Sequence, residues 1–585
     1  MSAQKHYDAL ILGSGQGGTP LATAFANAGR KTCLVERAHV GGCCINEGCT
    51  PTKTMIASGK VAYLARRREE YGVHFRSSAA GMEGEEGGGV EGGGESGGVW
   101  TDMKKVRQRK REMVESFRAG SERRLGAAGV DVLRGEAAFM GPKTVRIRME
   151  DPAEEEEVVV SSELVFINSG ERPAKPKIEG LDGIEPARVL DSTSIQELDE
   201  VPGHLIVLGG GYIGLEFGQL FRRLGAQVTI VQRSGQVIPR EDPDIAECML
   251  DILRGDGITV RLSTEAVRLS SEDSTITLHT KSPDGTTSLI FGSHLLLAAG
   301  RVPNTDHLSL PVAGIETTPR GHIVVNPRLE TNIPGIYALG DVKGPPAFTH
   351  VSYDDFRIVR DNLLSVPFPS APDQRTTAAR VAHTPYVVYT DPQLGHVGMH
   401  ERQLRSQHPG RKIKVAKMPM EYVARALEMG ETRGMMKAVV DADTGEILGF
   451  TCLGVEGGEI MSVVQVAMMG GLRWEGLREA VFAHPTLAES LNNLWGFLEE
   501  GNGHQQDRWL VSATVSMGGF LFGYDTGVIS AVLINLGTDL DGRVLTSSEQ
   551  ESITSHTSGG ALVGTVIAGF ATDKYGRISA SISAV

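Results

Sequence analysis

Three cysteines stand in the run Gly41-Gly42-Cys43-Cys44-Ile45-Asn46-Glu47-Gly48-Cys49-Thr50-Pro51-Thr52-Lys53. Cys44 and Cys49 are five positions apart, just before a proline that can open a helix. A helix N-terminus favours the thiolate, so one of the two is expected to be a ready nucleophile. The run follows closely on a glycine-rich turn, Gly13-Ser14-Gly15-Gln16-Gly17-Gly18, of the kind that binds a dinucleotide. A dithiol beside such a turn points to electron transfer among a nicotinamide, a flavin and a disulfide.

The elements that must hold these residues can be read around them. Tyr7-Asp8-Ala9-Leu10-Ile11-Leu12 is expected as a buried parallel strand. An alanine-rich helix is expected over 19–28 and a second strand over 31–35, ended by Glu36. An acid about 20 positions past the glycines is where a ribose-binding carboxylate belongs. The pattern then repeats: a strand over 204–208, the turn Gly209-Gly210-Gly211-Tyr212-Ile213-Gly214, a helix over 215–224 and a strand over 227–231. Two such units imply two dinucleotides. The second unit ends on Gln232-Arg233 rather than on an acid. Loss of the carboxylate beside an arginine leans towards the 2′-phosphate of NADPH over NADH; the alternative is that Arg233 is a solvated loop residue.

Length and composition bound the rest. The 585 residues are enough for several domains, and a formal charge of −14 argues against nucleic acid as the main partner. Six cysteines are too few for a secreted disulfide scaffold, and the first residues lack an apolar signal segment, so a cytoplasmic setting is expected. Residues 81–98 are rich in Gly and Glu and cannot build a packed core, so a disordered insertion is expected at about 77–100. The acidic run 154–157 is expected to be a solvated hairpin tip between strands at 144–149 and 158–161. From about Val381, short strands at 412–417, 435–440 and 447–453 surround helices such as 458–470, the pattern of a separate α+β domain.

Five separated signals carry a family resemblance over about residues 6–500. They are the first glycine turn with Glu36, the G-G-x-C-x-N-x-G-C-x-P-x-K run, the second glycine turn, Ala338-Leu339-Gly340-Asp341-Val342, and His484-Pro485-Thr486 with Glu489. Together they resemble the pyridine nucleotide–disulfide oxidoreductases that carry FAD and a redox-active disulfide. Residues 169–173 and 299–304, which include Gly300, resemble that family's paired crossover segments. The implied fold is α/β: two Rossmann-like domains for FAD and NAD(P), plus an α+β dimerisation domain. The implied boundaries are 1–190 and 303–378 for the FAD domain, 191–302 for the NAD(P) domain and 379–500 for the dimerisation domain.

The resemblance also implies roles. Gly13, Gly15, Gly18 and Glu36 would hold the ADP half of FAD, and Asp341, after Gly340, its ribityl or pyrophosphate part. Gly209, Gly211, Gly214 and Arg233 would serve NADPH or NADH, with Tyr212 covering the nicotinamide site. Cys49 would face the flavin and Cys44 would attack the substrate. Lys53 would pair with Glu216 near the flavin. His484, oriented by Glu489, would be the acid–base residue and would complete the site of the other subunit of a homodimer. The implied substrate is a small-molecule disulfide or a soft metal ion, with no resident metal. Residues 57–67 look more like the mercuric reductase branch than the glutathione branch. The chain departs from that branch in lacking a vicinal cysteine pair near its C-terminus and in having His484. Cys43 stands where the family usually has Thr, either as a near-isosteric replacement or as a third thiol.

Residues 509–536 and 559–571 are apolar, and Asp573-Lys574-Tyr575-Gly576-Arg577 follows them. This tail, 501–585, resembles the first two membrane segments of a major facilitator sugar transporter and is expected to form two apolar helices. It implies either a membrane-tethered or transporter-related protein, or two neighbouring genes read as one. Two helices cannot make a transport pathway, and the enzyme motifs are complete without them, which favours the second reading.

Overall fold

The strand beneath the first glycine turn is apolar without a break over residues 9–12 because the sheet is covered on both faces there. The computed structural model describes residues 5–74, 99–150, 156–364 and 374–500. In it Lys5–Leu12 lies between Thr32–Glu36 and Glu157–Ile167, parallel to both. Ala9, Leu10, Ile11 and Leu12 are buried. Gly18–Asn27 is the covering helix, and its Phe25 packs on Phe166 with ring centroids 5.1 Å apart. Ile336–Ala338 adds a further parallel strand beside Glu157–Ile167. The outer half of Asp131–Gly141 and the first half of Glu157–Ile167 pair antiparallel with Thr144–Met149. The strand expected at 158–161 is thus the start of one that runs on into the parallel sheet.

The second glycine unit is a five-stranded parallel sheet in the order Thr259–Arg261, Gln227–Val231, His204–Leu208, His294–Leu297, Val189–Leu190. Its helix Tyr212–Leu224 begins in the turn, three residues earlier than the sequence pattern predicts, and buries Leu215, Phe217, Leu220, Phe221 and Leu224. Three antiparallel strands, Glu265–Glu272, Thr275–Lys281 and Thr287–Gly292, share an apolar cluster with this sheet through Leu269, Ile276, Leu278, Ile206 and Leu208. Arg301–Pro303 pairs with Glu171–Pro173 as a two-stranded ribbon, the pairing expected of the crossover segments.

The C-terminal sheet has the order Tyr386–Val388, Gln393–Gly398, Ile447–Gly454, Met435–Asp441, Ile413–Pro419, Leu498–Glu500. Helix Gly457–Met469 packs on it, and Met418, Met436, Phe450, Met461 and Trp495 fill the core between. Residues 1–499 make one compact unit. Most of the glycine-rich insertion, the first half of the acidic run and the apolar tail fall outside the described residues. Among the described residues no helix is long and apolar enough to cross a membrane.

Candidate active site

Each glycine turn closes on its strand because a side chain is missing where two backbones meet. A Cβ at Gly18 would lie 2.0 Å from the Gly13 carbonyl oxygen, and one at Gly214 would lie 1.9 Å from that of Gly209. Gly13 and Gly209 take left-handed φ values of +102° and +114°. Asn168 clamps the first turn: its Oδ1 accepts the Gly18 N–H at 2.8 Å and lies 2.9 Å from where a Gly15 Cβ would stand, and its Nδ2 donates to the Leu339 carbonyl at 2.8 Å. Asn168 was not among the residues singled out in the sequence. Its only signal there is its place at the end of a strand, next to a crossover segment.

Glu36 accepts the N–H groups of Ser14 and Ala38 at 3.0 and 2.9 Å. Gln232 stands in the matching place of the second turn and accepts the Gly210 N–H at 2.8 Å. A Cβ at Gly211 would meet nothing within 4 Å, and Arg233 is exposed. Gly340 (φ +72°) donates its N–H to Asp355 at 2.8 Å and carries the chain into Asp341. Burial first, then the neighbouring Glu171, pushes the Asp341 carboxyl up to about 6. Gly300 (φ +128°) leads into the crossover ribbon.

A cavity of about 980 Å³ is shared by Gly13, Gly15, Glu36, Asp341, Tyr212 and the thiol run. Lys53 and Glu216 line it as well, while Gly18, Gly209, Gly211, Gly214, Arg233, Gly300, Gly340, His484 and Glu489 lie outside its lining. Its size is that of a site for a large organic cofactor. Ser169 Oγ, from another lining residue, is shielded from solvent and lacks a hydrogen-bond partner among the described residues. A donor or acceptor from a bound group would satisfy it. The glycine backbone, this orphaned hydroxyl and the protonatable Asp341 fit FAD.

The thiol run folds as a short helix, Gly42–Asn46, followed by Cys49–Arg66. Gly41 and Gly42 take φ of +109° and +66°, and a Cβ at Gly42 would strike the Gly15 Cα at 2.6 Å. Asn46 Nδ2 donates to the Gly42 and Val40 carbonyls at 2.9 and 3.1 Å, which fixes the loop. All six cysteines are free thiols here. Cys49 opens its helix, and a hydrogen bond from Cys44 holds its thiol down to about 5. Burial opposes this shift; Lys53 and Thr349, whose Oγ1 lies 3.5 Å from Cys49 Sγ, assist it. That same hydrogen bond, and then burial, pushes the Cys44 thiol up. Lys53 Nζ is 2.8 Å from Glu216 Oε2 and lies over the Tyr389 ring. Burial works against the Lys53 charge, but Glu216 and Cys49 outweigh it. Cys43 is set apart: Arg301, which also donates to the Glu171 carbonyl, reaches its Sγ at 3.5 Å, and burial keeps the thiol protonated.

The reduced pair therefore holds one negative charge, on Cys49, down to about pH 5. Thiolate absorbance of the reduced protein is expected to fall with a midpoint near pH 5 as acid is added. A midpoint near 8.5, that of a free thiol, would contradict the arrangement. A thiol pKa lowered by folding stabilises the reduced fold fully above about pH 8.5, and that contribution is lost as pH falls through about 5.

His484 Nδ1 lies 2.9 and 3.1 Å from the two Glu489 oxygens. The imidazole is 73% exposed and Glu489 only 17%. Tyr212 stacks on Tyr386 at 5.7 Å and donates to Glu241 at 3.2 Å.

Residues 7–355 match the family model described as pyridine nucleotide-disulphide oxidoreductase, and residues 384–494 match its dimerisation domain. The chain belongs to this family. It is an FAD-dependent oxidoreductase of disulfides or metal ions that uses NAD(P)H. Among curated relatives, the "Probable pyridine nucleotide-disulfide oxidoreductase RclA" of Escherichia coli (strain K12) is 34% identical over 84% of this chain and 99% of its own. A dihydrolipoyl dehydrogenase of Thermus scotoductus is 32% identical (83% and 96% covered), and a mercuric reductase of Staphylococcus aureus is 31% identical (83% and 81%). The solved Cu(II) complex of the HOCl-induced flavoprotein disulfide reductase RclA from Escherichia coli superposes with a TM-score of 0.72 at 35% identity, covering 84% of this chain and 99% of that one. Residues 511–585 match a sugar (and other) transporter model, in line with the reading of the tail.

Proposed function

We propose that this enzyme reduces a small-molecule disulfide with NADPH, in a cytoplasmic homodimer. The observation that carries the choice of a disulfide over a metal ion is the His484–Glu489 pair. Breaking a disulfide releases a thiolate that must be protonated, and the attacking thiol must first lose its proton. Reduction of a metal ion shares the deprotonation but releases no leaving thiolate for the imidazole to protonate.

Residues 1–190 and 303–378 form the FAD domain, 191–302 the NAD(P) domain and 379–500 the dimerisation domain. Gly13, Gly15, Gly18, Glu36, Gly340 and Asp341 hold FAD, and Lys53, paired with Glu216, stands beside its ring. When bound, FAD supplies acceptance of a hydride from the nicotinamide and delivery of the electron pair to the Cys44–Cys49 disulfide. His484 of the partner subunit takes the Cys44 proton, and Cys44 attacks one sulfur of the substrate. The first product leaves with the proton held on that imidazole. Cys49 then attacks Cys44, which frees the second product and restores the disulfide. Glu489 of the partner subunit keeps the imidazole oriented and stabilises its charged form. Tyr212 covers the nicotinamide position until the cofactor arrives, with Gly209, Gly211, Gly214 and Gly300 shaping the approach.

Gln232 in place of a carboxylate, with the exposed Arg233 next to it, supports NADPH. Arg233→Ala is expected to raise the KM for NADPH about tenfold or more with kcat nearly unchanged, and to leave NADH kinetics alone. Equal losses with both nucleotides would assign Arg233 a different role. The substrate class is tested by following NADPH oxidation with oxidised glutathione, lipoamide and mercuric ion side by side. Turnover with a disulfide at least about tenfold above that with the metal ion is expected; a preference for the metal ion would reverse the reading.

A further inference from the structure

Two histidines and a glutamate meet in a place that the thiol chemistry does not use. Glu241, His396 and His400 are all buried, at 0, 2 and 6% exposure. One potential ligand atom from each lies within 4.8 Å of the others. The His396 and His400 rings stack with centroids 3.8 Å apart. Glu241 Oε1 accepts from Tyr386 Oη at 2.6 Å and from Tyr212 Oη at 3.2 Å. Its other oxygen, Oε2, is buried and has no hydrogen-bond partner among the described residues. His400 Nδ1 lies 3.9 Å from that orphan.

Arg240 favours the charge on this carboxylate, but among the described residues no cation hydrogen-bonds its Oε2. Lys437 is already taken by Asp242, Asp244 and Glu401. Arg402 donates to the carbonyls of Pro239 and Arg240. A buried carboxylate oxygen with no partner is costly unless a proton or a cation joins it. The donor set, two imidazoles and one carboxylate, is that of a borderline divalent ion such as Zn²⁺ or Cu²⁺.

We propose that Glu241, His396 and His400 form a divalent transition-metal site, separate from the thiol pair, with its fourth position open to the cavity beside them. That cavity, of about 780 Å³, is lined by His396, His400 and Tyr212. Neighbouring ligands on a tetrahedral ion with bonds of about 2.0–2.1 Å stand roughly 3.3 Å apart. Glu241 Oε2 and His400 Nδ1, 3.9 Å apart, therefore have to close by about 0.6 Å. The outer partners are in place. Both tyrosine hydroxyls orient the carboxylate through Oε1, and Tyr386 Oη meets His400 Nε2 at 3.0 Å. His396 gives up one of two hydrogen bonds, to Thr451 at 2.7 Å or to the Gly398 carbonyl at 3.1 Å. His400 also caps helix Glu401–Gln407 through the Gln403 N–H, a bond that metal ligation competes with. Capping alone does not call for histidine, since Ser, Thr, Asp or Asn serves better there. Asp242 already accepts the N–H groups of Glu401 and Arg402 at 3.1 Å each.

The test uses the flavin-loaded enzyme in its oxidised form, in which the Cys44–Cys49 disulfide offers no thiolate to a metal. After dialysis against zinc chloride and then metal-free buffer, one zinc per chain is expected to remain. His400→Thr keeps an ordinary helix cap, and Glu241→Gln keeps the shape of the side chain. Each is expected to weaken zinc binding at least tenfold while flavin content stays the same. No retained zinc, or unchanged affinity in both variants, would overturn the site. Should either variant fail to fold, electron paramagnetic resonance of the unaltered enzyme with one equivalent of Cu²⁺ decides. Coupling to two imidazole nitrogens supports the site, and a signal without nitrogen coupling refutes it.

Discussion

Cys44→Ser is expected to lower disulfide turnover by about 10³-fold or more, with FAD still bound. The loss is large because the two thiols are not interchangeable. Cys49 is the stabilised thiolate, held by a hydrogen bond from Cys44 and by the nearby Lys53. A group stabilised in that way is a poor attacking nucleophile for a substrate outside. Cys44 keeps its proton until a base removes it and is then the stronger nucleophile. Serine at 44 can still donate a hydrogen bond to Cys49, so Cys49 should stay ionised and flavin content should not change. Near-normal turnover of a disulfide by Cys44→Ser would show that attack begins elsewhere.

His484→Gln is the second large effect, a loss of about 10²–10⁴-fold in disulfide turnover. The side chain is exposed in the single chain, and Glu489, largely covered, holds it at 2.9 Å. An exposed imidazole gripped by a shielded carboxylate suits a site completed by a second copy bound through the dimerisation domain. The variant is expected to lose the limb of the pH–rate profile that reports the base, and to keep its rate of flavin reduction by NADPH. Glu489→Gln should act in the same direction but less strongly, because it removes orientation and charge stabilisation and leaves the imidazole. If both steps slowed together in His484→Gln, a structural role would explain the result better.

Local patterns in the sequence located the elements that carry the site. The strands His204–Leu208 and Gln227–Val231 lie where their apolar runs place them, and Thr144–Met149 also matches. Cys44, Cys49, Lys53 and Glu216 come together at one cavity. Contacts between distant segments were not legible. Thr349 reaches Cys49 across 300 positions, and Arg301 reaches Cys43 across 258. Neither residue is unusual in its own stretch of chain, so only the folded backbone reveals the pairing. The Glu241, His396 and His400 cluster was hidden in part in the same way: the two histidines are four positions apart, but Glu241 comes from a distant stretch of chain. The antiparallel strands at 265–292 carry many polar residues on exposed positions, which dilutes their period-two pattern.

Cys43 is now distinguished from its neighbours. It is half-buried, protonated and next to Arg301, away from the hydrogen bond that makes the other two a pair. The near-isosteric reading fits this environment better than a third redox thiol. Cys43→Thr is accordingly expected to keep turnover within about twofold, measured as kcat/KM for the disulfide and for NADPH.

The central claim is that electrons from NADPH come to rest on Cys44 and Cys49. Counting thiols in the unfolded protein, before and after anaerobic addition of one equivalent of NADPH to the oxidised enzyme, tests it directly. Of the six cysteines, two should be unreactive before and reactive after, and peptide mapping should place both new labels at Cys44 and Cys49. An unchanged count with the flavin reduced, or new label at any other pair, would contradict the account.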